Sequence, residues 1–268
     1  MKYCRFQSSN GVHYGLVETV ARREAITRWI VTPPEAVGDL EDLHTRPMDA
    51  VPLAGATLLA PVTPSKIVCV GRNYRAHAAE LGNEVPTEPL LFFKPPSALN
   101  HPGGPIVRPH VSSRTDYEGE LGVVIAKRCR MLADTDDVRP YILGYTCVND
   151  FTARDLQNKD GQWTRAKGFD TFCPTGPLVT NDLDPWAGVS VQTRVNGELR
   201  QDGNTRDFIF PLDVVLRYIS QVMTLEPGDL VATGTPQGVG PVVAGDVVAI
   251  TVEGVGTLQN PVADESST

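Results

Sequence analysis

Short apolar runs alternate along the chain with breaks that carry glycine, proline or asparagine, a spacing that predicts strands and turns more often than helices. The run LGVVIA at 121–126 is apolar throughout and suits a strand covered on both faces. VSVQTRV, the dipeptide Asn196-Gly197 and ELRQ predict a hairpin, because Asn-Gly supplies the two positive φ angles of a type I′ turn. GDLVATG, GDVVAITVEG and VGTLQNPV are glycine-bounded strand candidates near the end, and 12–20 and 29–32 are strand-like near the start. One helix is well marked. Leu212, Val215, Leu216, Ile219, Val222 and Met223 share a face, Pro211 stands at its start, and Pro227-Gly228 follows its end. A second helix is expected to begin near Asp150 and a third to cover 74–81. The tail ADESST reads as disordered. The pattern predicts an α+β fold, mostly β, of sandwich or roll type. An acidic, proline-bearing stretch, PPEAVGDLEDLHTRP, and then Pro61 and Pro64 mark a boundary near residue 63. The expected organisation is a small β-rich domain at 1–63 and a larger one at 64–268.

Composition narrows the function classes. The 268 residues are enough for a large buried core. No run reaches the roughly 18 apolar residues of a membrane helix, and the start lacks the apolar segment of a secretory signal, so the expectation is a cytoplasmic protein with no membrane partner. A net charge of −8 with no basic stripe argues against nucleic acid. The five cysteines, odd in number, widely spaced and without a CxxC pair, argue against a thiolate zinc site and a disulfide framework. Cys147, close to Asp150, reads as a small buried hydrophobe.

Candidate chemistry begins with DYEGELGVVIA. Residues two apart in a strand share a face, so Glu118 and Glu120 project together, about 7 Å apart at Cα. The apolar run behind them leads into the core, where two carboxylates need compensation by arginine, lysine or a hard cation. A solvated strand end is the plainer alternative. Asp150 closes the apolar segment YILGYTCVN and opens FTARDLQN, where it reads as a helix N-cap or a third oxygen ligand. Arg154 and Gln157, four and seven residues on, would lie on the helical face of Asp150. With no soft ligand present, such a set favours magnesium or manganese. In NYRAHAAE, His77 and Glu80 are helical neighbours at i and i+3, either a base with its orienting carboxylate or a surface pair. LGNEVPTEP beyond them would suit a mobile lid, and Lys94 in FFKPP is either a ligand-facing cation or a snorkelling side chain. GTPQGVGP at 234–241 lacks the Lys-Ser/Thr of a phosphate loop and reads as a tight turn presenting Thr235.

Taken in order, VGRNYRAHAAE, PLLFFKPPSAL, DYEGELGVVIAKRCR, GYTCVNDFTARDLQ, WTRAKGFDTFCPTGP, VNGELRQ, FIFPLDVVLRYIS and TLEPGDLVATGTPQGVGPV resemble the fumarylacetoacetate hydrolase family. The resemblance implies a mixed β-roll catalytic domain, a homodimer, and one Mg2+ or Mn2+ per subunit held by Glu118, Glu120 and Asp150. It implies that His77 and Glu80 form a dyad that activates water, and that Lys167 faces developing negative charge. Gln157, Thr235 and Arg72 match positions near the ligand. The implied substrate is a small keto acid, and the implied reaction is hydrolysis of a carbon–carbon bond in a β-diketo acid of the acylpyruvate type, through a metal-stabilised enolate. Decarboxylation of oxaloacetate and isomerisation of a hydroxy-diene-dioate are alternatives on the same metal site. A non-catalytic, metal-stabilised binding protein is the alternative from another class.

Overall fold

Strand Gly119–Ile125 is buried at every residue, as its unbroken apolar run predicts, and it lies inside a mixed sheet of twelve strands. A computed structural model describes residues 1–80, 82 and 84–266 of the chain. The order across the main path of the sheet is Thr45–Pro52, Arg23–Ile30, Gly11–Val20, Lys2–Ser8, Cys173–Thr180, Ile142–Asn149, Gly119–Ile125, Leu230–Ala232, Ile67–Gly71 and Leu90–Lys94. Strands from before and after residue 63 thus share one sheet, joined where Lys2 and Tyr3 pair with Thr180 and Val179. Most neighbours are antiparallel, while Ile67–Gly71 runs parallel to Leu230–Ala232. Asp229 fixes that parallel register. Its buried carboxylate accepts the Ser65 and Lys66 backbone N–H groups and the Ser65 hydroxyl, and pairs with the Lys66 ammonium.

A second sheet of five strands, Glu198–Asn204, Ser190–Val195, Val247–Val252, Gly256–Asp264 and Ile106–Arg108, packs against the centre of the first. In Val247–Val252 burial alternates, so Val248, Ile250 and Val252 enter the shared core with Val123, Cys147 and Leu258. Asn196 (φ 52°) and Gly197 (φ 84°) form the expected turn of the hairpin. A third sheet joins Thr152–Ala153, Thr115–Tyr117 and Gly240–Pro241. The architecture is α+β and mostly β, as expected.

The marked helix is Leu212–Val222, with Leu212, Val215, Leu216 and Ile219 buried. Val222 faces solvent at the edge of the apolar stripe, and Met223 leaves helical geometry as the C-cap. Two helix expectations change. The helix after Asp150 spans Arg154–Asp160, because Thr152 and Ala153 first pair with Asp116 and Thr115 as a strand. Asp150 is therefore neither an N-cap nor on the helical face of Arg154 and Gln157. The helix placed at 74–81 spans Arg75–Glu80, since Tyr74 bridges to Phe208; Leu81 lies outside the described residues, as does Asn83 of the expected lid. In the tail, Ala263 and Asp264 complete the last strand and Glu265 N–H donates to Arg108 O, against the expected disorder; residues 267 and 268 lie outside the described residues. Among the described residues, no helix is long and apolar enough to cross a membrane.

Candidate functional site

Three carboxylates meet where two antiparallel strands end together. Gly119 pairs with Asn149, and the Asp150 N–H donates to Glu118 O, which sets Asp150 beside Glu118 across the ladder. The Glu118 N–H donates to the Asn149 side chain. Glu120 follows on the same face. One oxygen from each of Glu118, Glu120 and Asp150 lies within 4.8 Å of the others, and all three side chains are buried. The residues read from the alternation of DYEGE and from Asp150 are brought together.

Cations surround part of this cluster. Lys167, 1% exposed, donates to Glu118 Oε2 at 2.9 Å and to the Asp150 carboxylate. Lys94, equally buried, donates to Asp150 Oδ1 at 2.7 Å and to Phe151 O at 2.9 Å, so it is neither snorkelling nor free. Arg154 pairs with Glu118 and, through Nε at 2.9 Å, with Asp116 Oδ2; its Nη1 donates to Gln157 Oε1. Burial alone would raise the Glu118 carboxyl, but Lys167 and Arg154 outweigh it and hold that carboxyl well below the usual range. Burial opposes the charge on Lys167 as well, and Asp150 and Glu118 still keep its ammonium above the ordinary value.

Glu120 differs. Its Oε2 accepts the Gly234 N–H at 2.8 Å, and no ion pair reaches it among the described residues. Burial, then Asp150 and Glu118, push its carboxyl well above the ordinary value. A buried carboxylate beside two others, with no cation of its own, is costly unless positive charge is added. The donor set is all oxygen, which suits a hard divalent cation. The residues fit such an ion.

A cavity of about 410 Å³ opens over the cluster, lined among others by Arg72, His77, Gln157, Lys167 and Thr235. Of the nine residues that the family resemblance assigns to the site, eight line the cavity, and Glu80 stands behind His77. His77, 4% exposed, sets Nδ1 3.3 Å from Glu80 Oε2. A carboxylate only accepts, so Nδ1 carries the proton, and in the neutral ring Nε2 is the acceptor. The Thr235 hydroxyl donates to Gly119 O at 2.9 Å and accepts from Gln201 Nε2 at 2.7 Å, which ties the loop to the carboxylate strand. Arg72 has a left-handed backbone (φ 59°), and it is the lining cation without an ion pair among the described residues. Asn73 anchors this turn, donating to Phe210 O and Thr233 O and accepting the Phe210 N–H. Gly234 (φ 103°) needs its missing side chain, since a Cβ there would stand 2.6 Å from Asn73 Cβ.

Sequence reasoning missed several participants. Asp116, buried and shared by Arg114 and Arg154, was legible as the first of three alternating acids at 116, 118 and 120. The aromatic wall, in which Phe92 and Trp163 meet edge to face at 5.1 Å, had no local signal. No thiol lines the cavity among the described residues; all five are buried, and burial pushes Cys129 and Cys173 up to about 11 and Cys147 up to about 12.

Residues 66–263 match the family model described as fumarylacetoacetate (FAA) hydrolase C-terminal, and residues 1–61 match one described as Rv2993c-like, N-terminal. The chain is 40% identical over 258 residues to the oxaloacetate tautomerase YisK of Bacillus subtilis, covering 91% of this chain and 82% of that protein. It is 45% identical over 201 residues to a mitochondrial oxaloacetate decarboxylase of Dictyostelium discoideum, covering 73% of this chain and 92% of that protein. The crystal structure of a 2-hydroxyhepta-2,4-diene-1,7-dioate isomerase from Mycobacterium marinum superposes with a TM-score of 0.88 at 41% identity, covering 100% of both chains.

Proposed function

We propose, on the premise that this chain belongs to the fumarylacetoacetate hydrolase family, that it is a divalent-cation-dependent enzyme shifting a proton next to the keto group of a small 2-keto dicarboxylate, a tautomerase of the oxaloacetate class. The observation that carries this reading is the His77–Glu80 pair beside the carboxylate cluster, because simple decarboxylation needs no positioned base. Glu118, Glu120 and Asp150 would hold Mg2+ or Mn2+. The bound cation would supply Lewis-acid polarisation of the keto group.

The chain's own residues account for the rest. His77 Nε2 takes a proton from the carbon beside the keto group and returns it to the other end of the tautomer. Glu80 holds the ring through Nδ1 and stabilises the imidazolium that forms. Lys167 balances Glu118 and Asp150, and its ammonium faces the negative charge that develops on the substrate. The unpaired Arg72 takes the remote carboxylate. Phe92 and Trp163 supply an apolar wall of the cavity.

Hydrolysis of an acylpyruvate is the second reading, favoured by one observation: the same Nε2 acceptor would deprotonate a water, and a cavity of about 410 Å³ has space for one beside the acid. The homodimer remains part of the proposal. The test is keto–enol exchange of oxaloacetate, followed by absorbance, with chelator and with metal restored, alongside carbon–carbon cleavage of acylpyruvates. Exchange that is lost in chelator, returns with Mn2+ and is absent in Glu118→Gln supports the tautomerase. Cleavage without exchange favours the hydrolase, and metal-independent stability with no turnover of either substrate removes both.

A further inference from the structure

The turn GTPQGVGP does more than present Thr235. The Gly238 N–H donates to both oxygens of Glu80, at 3.0 and 3.2 Å, and the Gly238 carbonyl accepts the Tyr117 hydroxyl at 2.8 Å. The two peptide units that flank Gly238 are thereby both held, one by Glu80 and one by Tyr117. Tyr117 is the residue before Glu118, and its backbone pairs with Gly240 in the three-stranded sheet. Gln201 closes the other side, donating to Pro236 O at 2.7 Å while its Oε1 accepts the Gly119 N–H at 3.0 Å. The chain of contacts therefore runs from the carboxylate strand through Tyr117 to Gly238, from Gly238 to Glu80, and from Glu80 to His77 Nδ1. Tyr117 is 3% exposed, and burial pushes its phenol up to about 12, so it acts as a neutral donor. Gly238 has φ 96°, and a Cβ there would stand 2.1 Å from Arg200 O, so the position admits only glycine without rearrangement.

We propose that Tyr117 is a positioning residue: its hydroxyl fixes the Gly238 carbonyl and with it the turn whose Gly238 N–H holds Glu80, and through Glu80 the His77 ring, locking the base to the carboxylate strand. The inference rests on the reading of His77 as the base. Glu80 is the last residue of the helix Arg75–Glu80, and the Gly238 amide holds its carboxylate alongside His77 Nδ1. Catalytic geometry of this kind depends on the partners that hold each reacting group.

The decisive variant is Tyr117→Phe, which removes the hydroxyl and keeps the buried ring; Gly238→Ala is unsuitable because of its clash. Hydrogen exchange at the Gly238 amide, read by NMR, is expected to quicken about fivefold in Tyr117→Phe, the factor that loss of one ordinary hydrogen bond produces. The 15N signals of the His77 ring are expected to move toward those of Glu80→Ala. In turnover, kcat falls about tenfold while KM and Mn2+ affinity stay within about twofold. In a Glu80→Ala background, which removes the acceptor of the Gly238 N–H, Tyr117→Phe adds no further loss, as required if it acts through Glu80. Unchanged Gly238 exchange and His77 signals in Tyr117→Phe overturn the proposal, as do losses that multiply in the double variant. The two NMR readouts need no substrate, so they decide the inference even if the wild-type protein turns over no keto acid, which would defeat the tautomerase reading alone.

Discussion

Glu120 Oε2 accepts the Gly234 N–H at 2.8 Å, and this backbone donor is the support the structure records for a carboxyl group that is 2% exposed. Its neighbours Glu118 and Asp150 hold the nearby ammonium and guanidinium groups. Metal binding is therefore expected to relieve Glu120 above all. In Glu120→Gln, the rise in melting temperature on adding Mn2+ should fall by at least half, whereas the wild-type protein gains about 2.7 kcal/mol at a hundredfold excess over Kd. Metal-free Glu120→Gln should melt no lower than metal-free wild type, because the substitution removes a buried carboxyl whose ionised form has no cation to compensate it. Equal metal-induced shifts in both proteins would exclude Glu120 as a ligand.

His77→Gln separates proton transfer from binding. Loss of the base should lower kcat about a hundredfold or more. The Mn2+-induced shift in melting temperature should persist, since His77 contacts Glu80 rather than the carboxylate cluster. A variant that keeps wild-type kcat would remove His77 from the chemistry.

Arg72→Ala probes the dicarboxylate. The guanidinium has no ion pair among the described residues, so its loss leaves no buried carboxylate stranded. KM for a 2-keto dicarboxylate should rise about tenfold, with little change for the corresponding 2-keto monocarboxylate, because one charge-assisted hydrogen bond is lost. Steady-state kinetics on the matched pair provide the check, and equal changes for both acids would assign Arg72 elsewhere.

Asp155 ties the cavity helix to the segment leading into the carboxylate strand. Its oxygens accept from Ser112 Oγ at 2.6 Å, Ser113 N at 2.9 Å and Ser113 Oγ at 3.0 Å. Slight burial raises the carboxyl, but the Ser112 and Ser113 hydrogen bonds prevail and hold it down at about 2. The folded value lies below the unfolded one of about 3.9, so this stabilisation is present above pH 4 and fades as pH falls toward 2. The stability gap between wild type and Asp155→Asn, measured by urea denaturation, should shrink as pH drops through that window. A gap independent of pH would mean that the ionised carboxylate is not what stabilises the contact.

Much of the site was legible because its residues sit at local spacings that have direct geometric meaning. Glu118 and Glu120 share a face through strand alternation, and His77 meets Glu80 across one helical turn. Asp116 obeyed the same alternation and was passed over, although its buried pairs with Arg114 and Arg154 make it part of the charge network. The start of the helix after Asp150 was misread for a physical reason. An aspartate before a polar, helix-favouring stretch is a local capping signal, yet Thr152 and Ala153 gain ladder bonds to Asp116 and Thr115, and the Arg154 N–H donates to Arg114 O. Pairing with a distant strand outweighed the local preference.

Periodicity and residue type alone placed several strands of the core, the Asn196-Gly197 turn and the helix at Leu212–Val222, and set Glu118 on the face of Glu120 and His77 beside Glu80, since each depends on neighbours within a few residues. Only the tertiary structure decided which cation rests on which carboxylate, that Lys94 is buried against Asp150, that Glu120 is left without one, and that Gly238 holds Glu80. Those contacts join residues far apart in the chain, and side-chain packing and desolvation in the folded interior select them, where no local spacing carries the information.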